Sequence, residues 1–361
     1  MAPSQAQEPE ARAVLDRLKN EVIDAGLCVA CGACLGLCPH IIFHDGQVAA
    51  PDACGLDAGR CYDLCPQAKE PAPSDRRWEL HRASGSEYQP PLGPVLQAWQ
   101  GRGTDPGLET NVQYGGVVTT LVKMALEIGL FSEAVLTRSN DRGVPEGVKI
   151  SQGEEVLSAA GTIYAAGGSL SLVNQALAES GRSSLGLVGL PCQVMGAAGM
   201  INHPSYPAAA ERISMVIGLF CTWNLPVRGL RALLKEQGIS GPIIKMDIPP
   251  PPAQVFKLTT AAGDFEIPLD EVRSRTLPGC ALCPDMTAEL ADISVGAMEG
   301  RPGWNTILAR NQVGLDLLLA AQERGLVILE PVQEASMDHL QEAARAKRQR
   351  AEQAWKERDH G

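Results

Sequence analysis

Four cysteines near the start of the chain stand at a spacing typical of iron–sulfur ligands. Cys28, Cys31, Cys34 and Cys38 follow the order C-x2-C-x2-C-x3-C, and Pro39 comes directly after the last of them. In bacterial ferredoxins, the first three thiolates of such a run bind one [4Fe–4S] cluster and the fourth binds a second. A zinc ribbon would need two separated C-x2-C pairs instead. The spacing therefore predicts an iron–sulfur cluster.

The second half of the run is incomplete. Cys61 and Cys65 repeat the C-x3-C-P ending, so Cys65 is the natural fourth ligand of the first cluster. Cys38, Cys54 and Cys61 are then left for a second cluster, although Cys54 is one residue out of register. Asp57 is the nearest oxygen donor, but we interpret it as an exposed surface aspartate. We expect a second cluster whose fourth ligand and nuclearity the sequence leaves open.

Four more cysteines lie in the second half of the chain. Cys192 and Cys221 each end a strand-like segment, and Cys280 and Cys283 form a C-x2-C loop. Because strand ends of an α/β sheet converge on one edge, these four thiols could meet there. They could bind a further [4Fe–4S] cluster or zinc, or be inert core thiols. Cys192 could also be a nucleophile of lowered pKa at a helix start, with His203 as the nearby histidine.

Bulk composition excludes several classes of protein. The 361 residues are 45% apolar with a net charge of −11, which predicts a globular protein of more than one domain and argues against a nucleic-acid partner. No apolar stretch approaches the roughly 18 residues of a membrane helix, and the N-terminus has no secretory signal. Ferredoxin-type thiolates need a reducing compartment. We therefore expect a cytoplasmic protein without a membrane span.

Strand-like and helix-like segments alternate along the second part of the chain. We predict strands at 133–137, 185–190, 213–220 and 326–330, and helices at 116–129, 169–179, 226–237 and 312–324. This alternation indicates an α/β core with a mixed or mostly parallel sheet and helices. Residues 255–260 and 264–269 look like an inserted hairpin.

These patterns divide the chain into four parts. Residues 20–70 are predicted to form a ferredoxin-like α+β iron–sulfur module, and residues 71–93 a linker rich in proline and charge. Residues 94–335 would form the α/β domain. The charged stretch 336–361 is predicted to be a C-terminal helix or tail, which we expect to be exposed; a partner-binding role is an alternative.

One glycine pair could contribute to a phosphate site. Gly115 and Gly116 open a predicted helix whose first turn carries Thr119. Bare backbone N–H groups and a hydroxyl at a helix start suit a pyrophosphate, although taken alone this is more often an ordinary cap. The chain has neither a G-x-G-x-x-G after a strand nor a Walker loop, so a Rossmann-type NAD site has little support.

Several sequence blocks together resemble the beta-subunit family of coenzyme F420 hydrogenase and dehydrogenase, from about residue 25 to 330. Besides the ferredoxin run, the matching blocks are QYGGVVTTL at 113–121, AGTIY at 160–164, GLPCQ at 189–193, GCALC at 279–283, ADISVG at 291–296 and GWNT at 303–306. Members of this family include subunits of formate dehydrogenase and flavin-dependent chlorophyll-pathway reductases such as 7-hydroxymethyl chlorophyll a reductase.

The resemblance implies cofactors and ligands. The family holds FAD beside a [4Fe–4S] cluster, which implies FAD and two or three clusters here. The third cluster's ligands would be the four cysteines of the second half of the chain. The implied flavin-site residues are Gly115, Gly116, Thr119, Thr162, Tyr164, Asp292 and Asn305; for the last four, a structural role is the competing interpretation.

The resemblance also implies a function. The chain would be an oxidoreductase subunit that moves electrons between a two-electron carrier, such as a deazaflavin coenzyme, and one-electron clusters or ferredoxin. Its redox partner would be a hydrogenase, a formate dehydrogenase or ferredoxin. Two alternatives are a stand-alone ferredoxin-dependent reductase of an organic substrate and a non-catalytic electron-relay subunit. No catalytic residue is assigned.

Overall fold

The structure is a computed structural model that describes residues 13–69, 88–108, 112–140, 144–249 and 253–360. The N-terminal elements are α1 (Val14–Leu18), a π-helical turn (Lys19–Ile23), β1 (Ile42–His44), β2 (Gln47–Ala49) and α2 (Arg60–Asp63). Next come β3 (Tyr88–Gln89), β4 (Gly93–Pro94), β5 (Gln97–Gly103), α3 (Val117–Glu127), β6 (Glu133–Ser139), β7 (Pro145–Ile150), α4 (Leu170–Ala178), β8 (Leu185–Gly189), α5 (Pro191–Asn202), α6 (Pro207–Arg212) and β9 (Ile213–Leu219). The chain continues with α7 (Val227–Glu236), β10 (Ile243–Asp247), β11 (Val255–Thr260), β12 (Gly263–Pro268), α8 (Leu269–Arg273), β13 (Ile293–Ala297), β14 (Asn305–Ala309), α9 (Gln312–Glu323), β15 (Val327–Pro331) and α10 (Glu334–His360).

An eight-stranded sheet forms the centre of the fold, in the order β15-β5-β14-β13-β9-β8-β6-β7. The four middle strands β13, β9, β8 and β6 are parallel to one another, and the outer strands pair antiparallel. The prediction of an α/β core with a mixed sheet is confirmed. The parallel strands are short apolar runs because helices cover both of their faces.

Alternate side chains of each strand enter different cores. Val135 and Val216 pack with helices α4 and α5 on one face of the sheet. Ala134, Met215 and Ile217 pack with helices α3 and α9 on the other face. The carboxyl ends of the four parallel strands therefore open along one edge of a three-layer structure, which is where ligands bind in α/β proteins.

Two smaller units flank this sheet. The predicted hairpin is present as β11 and β12, and β10 pairs with β11 to complete a three-stranded antiparallel sheet. The N-terminal module, which we define as residues 13–69, has short helices and the β1–β2 hairpin around an apolar core that includes Val14, Leu18, Val22, Ile41 and Val48. Its ferredoxin-like character stays a prediction.

Most of the predicted linker lies outside the described residues. Its last part, 88–93, is described: β3 pairs with β4, and Leu92 is buried. Arg310 donates to the carbonyl groups of Leu92 and Pro94, both at 2.8 Å. The end of this segment is thus fastened to the α/β domain.

The prediction of an exposed C-terminal helix is wrong for one face of α10. Ala344, Lys347, Ala351 and Trp355 are buried there. Ala351 follows Ala344 by seven residues, and Trp355 follows Ala351 by four. These separations place the three side chains in a narrow stripe along one side of a helix. The many charged residues on the other sides hide this stripe in the overall composition.

Candidate functional site

Cys28, Cys31, Cys34 and Cys65 form what we call the first cysteine group. Burial raises the pKa of the Cys31 thiol to about 12, and Cys28 adds to this. Burial also raises the pKa of Cys34 and Cys65, and in both cases other members of the group raise it further. The structure thus brings Cys65 to the three cysteines of the run. Closely packed thiolates repel one another, and a cationic metal core would keep them ionised.

The second cysteine group comprises Cys38, Cys54 and Cys61. Burial raises the pKa of the Cys61 thiol, with further contributions from Cys38 and Cys54. Asp57 is exposed. This group therefore offers three thiols, and the exposed Asp57 does not provide a fourth ligand.

Cys192, Cys221, Cys280 and Cys283 form the third cysteine group. Cys192 follows β8 and Cys221 follows β9, and these strands are parallel neighbours. Cys280 and Cys283 lie in and just after a 3₁₀ turn, Pro278–Leu282. Burial raises the pKa of Cys221 to about 11 and that of Cys280 to about 12, and neighbouring thiols of the group raise both further. The converging strand ends bring the four thiols together.

Two rival interpretations of the third group, a nucleophilic Cys192 and a zinc site, find little support. Burial raises the pKa of Cys192 well above its ordinary value, whereas a nucleophile needs a lowered one. His203 follows the far end of helix α5, about 16 Å along the axis from Cys192. Among the described residues, no three His, Cys, Asp or Glu side chains converge as tightly as a single metal ion requires. A four-iron cluster is larger and holds its ligands farther apart.

Helix α10 completes this region with a cation that the sequence did not reveal. The Lys347 ammonium donates to the Cys221 carbonyl at 2.7 Å, and Lys347 is 2% exposed. Burial lowers the pKa of Lys347, but Cys283 and Cys221 outweigh this, so that the pKa is raised and the ammonium stays charged. The only sequence signal was the spacing of α10's buried stripe.

The first and third groups adjoin each other. After burial, Cys31 is the neighbour that most raises the pKa of Cys192. A side chain at Gly279 would overlap the Leu27 carbonyl, so glycine is required where the C-x2-C loop meets the ferredoxin-type run. Asn174 of helix α4 donates to two carbonyls of that run, at 2.9 and 2.8 Å. The N-terminal module is therefore packed firmly against the α/β domain.

A cavity of about 630 Å³ lies beside the third group. Its walls include residues from the carboxyl-terminal parts of all four parallel strands or just after them: Leu136, Thr137, Val188, Gly189, Leu219, Phe220, Cys221, Val295, Gly296 and Ala297. Its volume is that of a site for an organic cofactor or substrate. Cys221 both lines this cavity and belongs to the third cysteine group.

Five of the seven predicted flavin-site residues line the cavity: Gly116, Thr119, Thr162, Tyr164 and Asn305. Gly115 lies behind them, where a Cβ would contact the Asn305 side chain and the Gly101 carbonyl. Asp292 is not among the lining residues. It holds the sheet together instead, because its carboxylate accepts from the Val216 N–H at 2.6 Å.

The start of helix α3 faces the cavity. Gly116 caps this helix with φ of 70°, a left-handed conformation that favours glycine. The Asn305 side-chain oxygen lies 3.5 Å from the Val117 nitrogen and accepts its hydrogen bond. The N–H groups of Val118 and Thr119 have no acceptor within the helix, because an α-helix leaves its first N–H groups unpaired. They can serve an anion in the cavity.

Further polar groups line the same cavity. The Tyr114 hydroxyl donates to Asp247 at 2.8 Å, and the Tyr164 hydroxyl accepts from the Ile248 N–H at 2.9 Å. Burial, followed by the Asp247 carboxylate, raises the pKa of both phenols, which therefore stay protonated. Both polar atoms of the Gln113 amide are buried without a hydrogen-bond partner in the described part of the chain. These groups suit a ligand with polar edges.

The fold and site define a class: a mixed α/β protein with a cofactor-sized cavity at the carboxyl ends of its parallel strands and buried cysteine groups next to it. In the described ranges, no helix is long and apolar enough to span a membrane. The chain belongs to the coenzyme F420 hydrogenase/dehydrogenase beta-subunit family. The N-terminal part of that family matches residues 98–174 and the C-terminal part matches residues 183–335.

Individual relatives agree with this assignment. A coenzyme F420 hydrogenase subunit beta from Methanothermobacter thermautotrophicus is 30% identical over 267 residues, which are 72% of this chain and 94% of the relative. A coenzyme F420-dependent sulfite reductase from Methanocaldococcus jannaschii is 27% identical over 329 residues, which are 87% of this chain and 49% of the relative. A chain in the solved F420-reducing [NiFe] hydrogenase complex from Methanosarcina barkeri is similar with a TM-score of 0.70 and 27% identity, covering 75% of this chain and 94% of that one. These relatives support an oxidoreductase role in electron transfer.

Proposed function

We propose that the chain is a flavin- and iron–sulfur-dependent oxidoreductase subunit that moves electrons between an organic two-electron carrier and one-electron clusters. One observation carries this proposal: Cys221 lines the cofactor-sized cavity and also belongs to the third cysteine group. A two-electron site and a one-electron site would thus share a wall. Bound there, FAD would supply the chemistry that exchanges electron pairs with a carrier and single electrons with a cluster.

The residues of the cavity fit FAD. Val118 and Thr119 present helix-start N–H groups to a pyrophosphate, and Gly116 lets the backbone approach it closely. The buried Gln113 amide would find its missing hydrogen-bond partners on the ligand. Tyr114 and Tyr164 also line the cavity with protonated hydroxyls, where they would orient the polar edge of the carrier.

The cysteine groups fit iron–sulfur clusters. The first and third groups each offer four buried or half-buried thiols, the number that a [4Fe–4S] cluster requires. The second group offers three, so its cluster would have one position without a cysteine ligand. With the ferredoxin-type spacing of the run, these groups support an N-terminal ferredoxin-like module carrying two clusters, and three clusters in the whole chain.

The relatives indicate the carrier and partner. Those described above are named for coenzyme F420, and one is a subunit in a hydrogenase complex. We therefore propose a deazaflavin as the two-electron carrier and a redox enzyme or ferredoxin as the protein that takes up or supplies single electrons.

Anaerobic purification of the full chain tests the proposal. We expect about eleven or twelve iron atoms with matching sulfide, one FAD, and bleaching of the flavin by reduced coenzyme F420. Full iron with no flavin would indicate the relay subunit instead. Zinc in place of iron, or only about four iron atoms, would contradict the cluster assignment.

A further inference from the structure

A buried cation lies directly against the third cysteine group. The Lys347 ammonium donates to the Cys221 carbonyl at 2.7 Å, and the Lys347 side chain is only 2% exposed. We propose that Lys347 is a positioning residue for the third cluster, whose reduction potential it raises. This inference rests on the proposed function, because it requires a cluster at this group.

The charges around Lys347 leave its ammonium directed at the cysteine ligands. The Asp285 carboxylate also acts on Lys347, and its two oxygens accept from the backbone N–H groups of Thr287 at 3.0 Å and Glu289 at 2.9 Å. The next cation along the helix, Arg348, lies 2.5 Å from the carboxyl group of Glu289, whose pKa burial raises to about 8. Lys347 therefore brings a positive charge to the cluster site itself.

Helix α10 is fixed by hydrogen bonds in the part that follows Lys347. The Trp355 indole N–H donates to the Leu282 carbonyl, inside the C-x2-C loop, at 2.9 Å. Farther along, Arg358 donates to the Gln67 carbonyl at 2.7 Å, two residues beyond Cys65 of the first group. These contacts hold the register of α10, so the ammonium has a defined position.

The effect on the cluster follows from electrostatics. Reduction adds one negative charge to a cluster, so a nearby cation stabilises the reduced form more than the oxidised form. In a buried site this interaction is weakly screened by water and salt. Surrounding charge is one of the properties that set the potential of a cluster. Almost all of α10 lies beyond residue 335, where the family match ends.

The test is a redox titration of the full anaerobic protein followed by electron paramagnetic resonance. The signal of the third cluster is identified as the one that Cys283→Ser removes. Lys347→Met should lower the equilibrium constant for reduction of this cluster by at least about tenfold, which is about 59 mV for a one-electron couple. Lys347→Arg keeps the charge and should restore most of the potential. Arg350→Met removes an exposed charge from the same helix and should leave the potential nearly unchanged.

Each outcome of this titration either supports or contradicts the proposed role of Lys347. An unchanged potential in Lys347→Met with full iron overturns the role of Lys347 but leaves the proposed function intact. A wild-type protein without the third cluster contradicts the proposed function itself. Should Lys347→Met lose about four iron atoms, retention of them in Lys347→Arg supports the proposal, because arginine keeps a cation and a donor for the Cys221 carbonyl and methionine keeps neither. Loss in both variants overturns it.

Discussion

Arg310 shows how single side chains hold the site in place. It is fully buried, and its guanidinium donates to the carbonyls of Leu92, Pro94 and Thr287 and to the hydroxyls of Thr287 and Ser294. Burial lowers its pKa to about 10, so it remains charged near neutral pH. One side chain thereby joins the segment before β5 to the turn that follows the third cysteine group.

Replacing Arg310 should strongly destabilise the fold. Arg310→Leu would leave three buried carbonyls without donors and the nearby acidic groups without a cation, so we expect the free energy of unfolding to fall by about 3–5 kcal/mol. Urea unfolding of the anaerobic protein measures this. Arg324→Met, at an exposed position after helix α9, is the control and should change stability little. Equal stability of the two variants would refute the role of Arg310.

A second residue-scale prediction concerns the start of helix α3. Thr119→Asp would place a carboxylate on the N–H groups that we assign to the flavin pyrophosphate, so FAD should bind about tenfold more weakly or worse. Asparagine has the same size as aspartate but no charge, so Thr119→Asn should retain FAD. Flavin absorbance after dialysis measures occupancy. Undiminished binding of FAD to Thr119→Asp would show that the pyrophosphate does not bind at the start of α3.

At the scale of elements, α10 is the least expected part of the structure. Besides its contacts with the cysteine loops, it contributes Ser336, Leu340 and Ala343 to the cavity wall. Its buried stripe is narrow, so its attachment depends on few residues, of which Trp355 is the largest. The helix therefore links the cavity, the third group and the N-terminal module.

Loss of the Trp355 side chain should detach the end of this helix. Trp355→Ala removes a buried indole and its hydrogen bond to the C-x2-C loop, at a cost of about 3–5 kcal/mol. We expect faster proteolysis within α10 and faster release of iron from the third group to a chelator. Lys356→Ala changes an exposed neighbour and should behave like the wild type. Wild-type rates in Trp355→Ala would show that α10 is held by other contacts.

At the scale of the whole molecule, the cavity and the cysteine groups form a series. Cys221 connects the cavity to the third group, and Cys192 brings that group next to Cys31 of the first. The second group follows, because its Cys38 is close in sequence to Cys34 of the first group. Within the proposed function, electrons would pass between the flavin and the N-terminal module in this order.

The order can be tested by interrupting it. Cys283→Ser should damage the third cluster while FAD stays bound, so bleaching of the flavin by the two-electron carrier survives and reduction of the remaining clusters slows sharply. Stopped-flow absorbance separates the two signals. Cys61→Ser, in the second group, should leave transfer from the flavin to the first group intact. Equal loss of flavin and cluster reduction in Cys283→Ser, with full FAD occupancy, would contradict the order.

Local patterns in the sequence determined the secondary structure well. The predicted strands and helices around the parallel core agree with the structure to within about two residues. Four strands of the eight-stranded sheet, β5, β7, β13 and β14, were not predicted; β5 contains two glycines and lacks polar–apolar alternation, and β7 contains a proline and a glycine. Their pairing partners in the sheet, rather than their own sequences, define them.

The chemistry of the cysteines follows from the sequence, but their assembly depends on the tertiary structure. The short spacing from Cys28 to Cys38 keeps the thiols of this loop close together, because residues so near in sequence cannot lie far apart in space. Cys192 and Cys283 are far apart in sequence, and only the parallel pairing of β8 with β9 and the packing of the C-x2-C loop bring them together. The same is true of Lys347, whose only local signal is the spacing of the buried stripe in α10, and of Asp292, whose carboxylate accepts a hydrogen bond from a neighbouring strand. Contacts between distant residues depend on how whole elements pack, which local spacing does not encode.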